Sequence, residues 1–205
     1  MKPLTKEDLI PYEAYERERH AFRQRIIQLK ARRRLAVGDH VTVVFENRQT
    51  IQFQVQEMVR VERIVDPRKV QEELDVYNDL LPGDGELSAT LFIEITDSER
   101  IKEDLDRLQG IDRPQTVGLR AGSEIIYGAF EAGHSKHDKI SAVHFVKFPV
   151  TTRFVEALSQ PATPASVIIE HPAYRAEAPV PSTLREEWLA DLGAHVGHRG
   201  TGASS

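Results

Sequence analysis

Apolar side chains in the first part of the chain recur mostly at helical spacing, and beyond it they alternate as strands do. Tyr15, Phe22, Ile26 and Leu29 are seven, four and three positions apart, which stacks them on one side of a helix predicted over residues 12–35. Gly38 closes that helix, where a left-handed residue is easily accommodated. Thr5 and Asp8, at capping-box spacing, predict a short helical turn ahead of it that Pro11 interrupts. Residues 40–45 are rich in β-branched side chains and predict a strand. Ile51, Val55, Met58, Val59 and Val65 return to helical spacing, predicting a helix over residues 49–65 that Pro67 ends. An acidic helix follows over residues 69–81, and Pro82-Gly83-Asp84-Gly85 is a turn.

The remaining chain alternates faster. Leu87, Ala89, Leu91, Ile93 and Ile95 point one way, and Ser88, Thr90, Glu94 and Thr96 the other, as in a half-buried strand. A charged helix is predicted over residues 98–109, then strands over 116–120, 124–130 and 142–148. A short helix through Leu158, a strand over 166–170 and a final helix over 182–192 carrying Trp188 complete the pattern. Strands joined by tight turns, with helices grouped before and after, predict an α+β fold: a mainly antiparallel sheet of five or six strands with helices packed around it. One domain is expected over residues 1–192. Residues 193–205 have little that could be buried and are expected to form a disordered tail.

Composition narrows the chemistry. The chain has 205 residues, 40% hydrophobic and 29% charged, with a formal net charge of −5. It contains no cysteine, which excludes disulfides, thiolate zinc sites, cysteine-held iron–sulfur clusters and a cysteine nucleophile. No apolar run approaches the roughly 20 residues that cross a bilayer, and the opening residues have no secretory-type stretch, so a cytoplasmic protein is the expectation. Phosphate-loop, nucleophile-elbow, dinucleotide-glycine and His-Glu-x-x-His patterns are all missing, which disfavours the standard nucleotide and hydrolase chemistries.

Three stretches carry a resemblance when taken together. They are Gln54-Val55-Gln56-Glu57-Met58 leading to Glu62-Arg63-Ile64; Gln71-Glu72-Glu73-Leu74-Asp75-Val76-Tyr77-Asn78; and Ser141-Ala142-Val143-His144-Phe145 with His171-Pro172-Ala173-Tyr174-Arg175. The chain resembles an uncharacterised bacterial family, domain of unknown function three-five-zero-one, over residues 4–192. The resemblance implies a small cytosolic protein often encoded beside rubrerythrin-like and iron–sulfur oxidoreductase proteins, which become its expected partners. It assigns no catalytic residues.

Among candidate site residues Glu62 stands out. With Ile51 as origin and about 100° per residue, it falls at about +20°, inside the apolar arc between Ile51 and Val55. A carboxylate there is desolvated and demands compensation, as a general acid, a metal ligand or a buried ion pair. His144 lies in an alternating strand beside Ala142, Val146 and Phe148, and His171 ends the strand Val167-Ile168-Ile169-Glu170. Convergence of Glu62, His144 and His171 would suit divalent iron, manganese or zinc in a small metal-dependent enzyme. The plainer alternatives are an ion pair for Glu62 and backbone hydrogen bonds for the histidines. Glu131-Ala132-Gly133-His134 and His137 read as an exposed loop without a common face.

Charge is segregated. Residues 16–34 hold eight Lys/Arg and two Glu, while residues 66–106 hold four basic and thirteen acidic residues. Arg32, Arg33, Arg34 and Arg175 are the candidate partner- or anion-binding cations. The two poles are expected to pair within the fold or to mate with complementary surfaces in a homo-oligomer or partner. Nucleic-acid binding is the weaker alternative, because the basic helix has no aromatic platform and no helix-turn-helix companion. The leading expectation is an accessory protein that binds a partner in a bacterial iron or redox pathway; whether it is also an enzyme stays open.

Overall fold

The computed structural model describes residues 1–97, 99–130 and 141–193. A capped 3-10 turn, Lys6–Asp8, precedes α1 (Tyr12–Arg32). The hairpin β1 (Arg34–Val37) and β2 (Val41–Glu46) follows, then the helices α2 (Arg48–Val61) and α3 (Pro67–Asn78). Next come β3 (Glu86–Ile93), α4 (Ile101–Arg107), β4 (Val117–Ala121), β5 (Glu124–Tyr127), β6 (Ala129–Phe130) and β7 (Val143–Pro149). The chain continues through α5 (Thr152–Ser159), β8 (Ala165–His171), β9 (Tyr174–Pro179) and α6 (Ser182–Asp191). The expected Glu131–His137 loop and all but the first residue of the expected tail lie outside the described residues.

The fold is α+β and its strands pair antiparallel, as the sequence predicts, but there are nine strands among the described residues and they form two sheets. One runs β1-β2-β3-β7-β6 and the other β5-β4-β8-β9. Their facing sides share one apolar core. Val43, Phe45, Leu87, Leu91 and Phe148 meet Leu119, Val167 and Ile169 across it, with Trp188 of α6 closing one side. The other face of the first sheet is also covered, since Phe145 of β7 packs with Ile51, Val55 and Leu74 of α2 and α3. This double coverage explains why β2 is buried at every position and shows no polar alternation in sequence.

Two strands escape the sequence reading. The helical pattern runs through residues 34 and 35, but α1 stops at Arg32 and Arg34–Val37 pairs with β2 as β1. Gly38 (φ 73°) therefore turns a hairpin rather than capping a helix. The period-two pattern of Tyr174, Ala176 and Ala178 against Arg175 and Glu177 forms β9, paired along β8 from His171↔Tyr174 to Ser166↔Pro179. The expected strand over residues 124–130 is divided between the sheets. The Gly128 amide still donates to Val117 in the second sheet (2.8 Å), whereas Ala129 already pairs with Lys147 in the first. A Cβ at Gly128 would collide with the Val146 side chain, so only glycine lets the chain cross there.

Candidate functional site

Glu62 is not in the apolar arc. α2 ends at Val61, four residues short of its expected end, and Glu62 caps it exposed to solvent. Arg63 then adopts φ 53°. The Ile64 amide donates back to the Val59 carbonyl (2.9 Å) and the Arg63 amide to Arg60 (3.3 Å). This is a Schellman closure with arginine where glycine is usual, so the stop signal is absent from the sequence pattern. A helical wheel carried past Val61 therefore misplaces every later residue.

The proposed metal set is not assembled. Glu62 belongs to the helical layer outside the first sheet, while His144 and His171 are buried in the strands, at 2% and 6% exposure. His144 Nε2–H donates to the Ser141 carbonyl (2.7 Å), and its Nδ1 lies 4.0 Å from Asp112 Oδ2. His171 Nε2–H donates to the Gln109 carbonyl (3.0 Å), and its Nδ1 accepts from the Ala173 amide (3.2 Å). His171 thus fastens the segment after α4 to the second sheet, whereas His144 is bonded to the turn that leads into β7. No group of three or more His, Asp or Glu able to hold a metal occurs among the described residues.

The buried charged groups are ones the sequence pattern does not single out, or singles out for another role. Glu46 is 2% exposed; its Oε1 accepts from Thr90 Oγ1 (2.8 Å) and lies 3.9 Å from Lys30 Nζ. Arg33 is fully buried, donating to the carbonyls of Phe45 (2.7 Å) and Glu46 (3.3 Å) and pairing with Glu187 (2.6 Å) and Asp191 of α6. Burial pushes the Asp191 carboxyl up to about 6, against the pull of the Arg33 guanidinium. A buried guanidinium bound to two backbone carbonyls and two acids is a structural tie, not an anion site.

The rest of the basic pole is also largely consumed. Arg19 forks onto Glu57 (2.8 and 2.7 Å), which also accepts from the Tyr15 hydroxyl (2.7 Å). Arg19's hydrogen bonds, first among several causes, hold the Glu57 carboxyl down at about 2. Arg32 pairs with Glu187 (2.9 Å) and Arg34 with Glu94 (2.7 Å). Only Arg34 reaches the expected acidic pole. Arg17, Arg23 and Arg25 form no ion pair among the described residues, but Glu13 and Glu18 on the same helix are equally unpaired. Little net positive charge is left on α1. Arg175 is exposed on β9, beside a shallow depression of about 300 Å³ that it shares with Arg120, Glu170 and Glu177.

The α2–α3 hairpin differs. Val65, Val61 and Val76 are 86%, 64% and 63% exposed, the three largest values for big apolar side chains among the described residues. Around them Glu62, Glu72, Glu73, Asp75 and Asp79 pair with no cation among the described residues. A groove of about 260 Å³ runs between Glu62, Val65 and Asp66 on one side and Lys69, Glu72 and Glu73 on the other. Glu73 and Glu62 together add to the burial that raises the Tyr77 phenol. A second pocket of about 260 Å³ opens at one end of the sandwich between Asp39, His40, Asp104, Arg107 and Tyr174. Its buried Asp104 is already countered by Arg100 (3.2 Å) and Arg107 (3.6 Å).

Fold and surface together define a mixed α+β protein with two antiparallel sheets and an acidic, valine-bearing helical hairpin. The chain belongs to the family described as protein of unknown function (DUF3501), whose model matches residues 3–192. It is similar to a novel protein of unknown function from Burkholderia pseudomallei K96243, known from a crystal structure. That similarity has 32% identity and a TM-score of 0.85, and covers 93% of this chain and 100% of the other. No curated protein matches the chain. No helix among the described residues is long and apolar enough to cross a membrane.

Proposed function

We propose that this chain is an accessory protein that docks a partner protein on its α2–α3 hairpin. The observation that carries this reading is that, among the described residues, the three most exposed valines and five unpaired carboxylates lie on one helical hairpin. Isolated exposed apolar residues are ordinary, but valines grouped beside unneutralised charge suit a surface that is covered in use. The matching partner face presents apolar side chains ringed by Lys and Arg. The family resemblance makes rubrerythrin-like and iron–sulfur oxidoreductase proteins the first partners to try, and it is the support for a role in an iron or redox pathway.

Calorimetric titration of the chain with a purified rubrerythrin-like protein, and separately with an iron–sulfur oxidoreductase subunit, tests the proposal. Binding should weaken at least tenfold in Val65→Glu while the melting temperature holds. Equal affinity of wild type and Val65→Glu, or no binding to either protein, contradicts it.

A further inference from the structure

α1 and α2 enclose a groove of about 360 Å³, lined by the apolar Phe22, Ile26 and Leu29, by Arg25 and Arg32, and by three glutamines, Gln28, Gln49 and Gln52. Phe22 is braced by a stacked Phe53 ring at 6.0 Å, and the Arg25 guanidinium lies 5.3 Å above the Phe22 ring. Arg25 and Arg32 are seven residues apart on one helix, about 10 Å along its axis. Arg25 has no carboxylate partner among the described residues, and Arg32, though paired with Glu187, keeps 55% of its side chain exposed.

The outer ridge of α3 has the reciprocal pattern. Glu72, Val76 and Asp79 share one face, with Asp79 continuing the helical conformation as its cap. Glu72 and Asp79 are also seven residues apart, about 10 Å, with the exposed Val76 between them. One surface thus reads cation, apolar lining, cation, and the other acid, valine, acid, at the same spacing.

We infer that a second copy of this chain lays its α3 ridge in the α1–α2 groove of the first, Glu72 and Asp79 facing the two arginines and Val76 entering between them. The contact joins two different surfaces: used reciprocally by two copies it closes a two-fold dimer, and used once per neighbour it builds a ring or an open chain. It rests on the hairpin being a docking surface, and it covers that hairpin. Self-association and partner binding then exclude each other, and the free hairpin is most abundant when the chain is dilute.

Sedimentation velocity of the full chain across the micromolar range tests this. Association should appear at about 50 mM salt and recede at about 500 mM as the screening length shortens. Arg25→Glu and Glu72→Arg, both at exposed positions, should each weaken it at least tenfold, and the double reversal should restore it. A single monomeric species throughout, or association indifferent to both reversals, overturns the inference. If the chain stays monomeric but Val76→Glu still abolishes binding of a purified rubrerythrin-like or iron–sulfur protein, self-docking fails while the hairpin reading stands. If neither self-association nor partner binding occurs, both fail.

Discussion

α1 and the α2–α3 hairpin are both helical, charged and outside the first sheet, yet their charges end in different places. Of the eight basic residues in and just after α1, five pair with acids: Arg19 with Glu57, Lys30 with Glu46, Arg32 and Arg33 with Glu187, and Arg34 with Glu94. On the hairpin Glu57 belongs to that same network, but Glu62, Glu72, Glu73, Asp75 and Asp79 pair with no cation among the described residues. A run of charge in sequence therefore says little about surface potential until its partners are located. The basic run uses most of its charge to hold layers together, whereas the outer acids of the hairpin remain for something outside the fold.

The largest expected consequence lies at the inner end of α1. Arg33→Met leaves Glu187 and Asp191 without their buried cation and should cost about 3–5 kcal/mol in urea unfolding at neutral pH. A loss under about 1 kcal/mol would mean that this cluster is not the tie between α1 and α6.

Next is Glu57→Gln, expected to cost about 1–2 kcal/mol once solvent screening of this partly exposed pair is allowed for. Glu57's folded pKa is depressed to about 2 from an ordinary 4.5, so its contribution is present above about 4.5 and fades as the pH falls towards 2. Wild-type and variant unfolding curves should converge over that interval. Asp191 works in the opposite sense. Its carboxyl is raised to about 6 from 3.8, so the folded protein takes up the proton first and this site gains stability as the pH drops from about 7 towards 4. Asp191→Asn should lose that slope, and an unchanged slope would show that burial does not dominate there.

On the hairpin, Val65→Glu and Val76→Glu should shift stability by less than about 0.5 kcal/mol, because neither side chain is packed. A clear destabilisation of either would place the valines in the structural account and remove the contrast. The smallest effect is expected for Arg17→Gln with Arg23→Gln, which should change neither melting temperature nor migration in a nucleic-acid gel shift. Wild-type binding that falls steeply with salt would reverse the ranking of the two surfaces.

The antiparallel α+β class was legible because β3, β7 and β8 alternate apolar and polar positions or run apolar between turn signals. The second sheet was not, since β9 buries small alanines and tyrosine and β1 is four residues lodged between a helix and a glycine. The site misreading has one local cause. Arg63 in the left-handed region ends α2 with a residue type that gives no warning, and extrapolating the helix carries Glu62 into a core it does not enter. The buried acids Glu46 and Asp104 and the buried carboxyl of Asp191 sit at the end of an all-buried strand, inside a charged helix and at a helix terminus, and no apolar periodicity marks them. His144 was legible as buried, and its Nε2–H bonds the Ser141 carbonyl.

Amide shift mapping gives the sharpest view of the hairpin. The isotope-labelled chain would be titrated with the purified rubrerythrin-like or iron–sulfur protein that binds it. With the chain dilute enough to be monomeric before the titration, perturbations should concentrate between residues 58 and 80, with α1 residues 17–25 and the pocket at Asp104 and Tyr174 unmoved. Shifts centred on α1 or on that pocket, with the hairpin silent, would contradict the docking assignment.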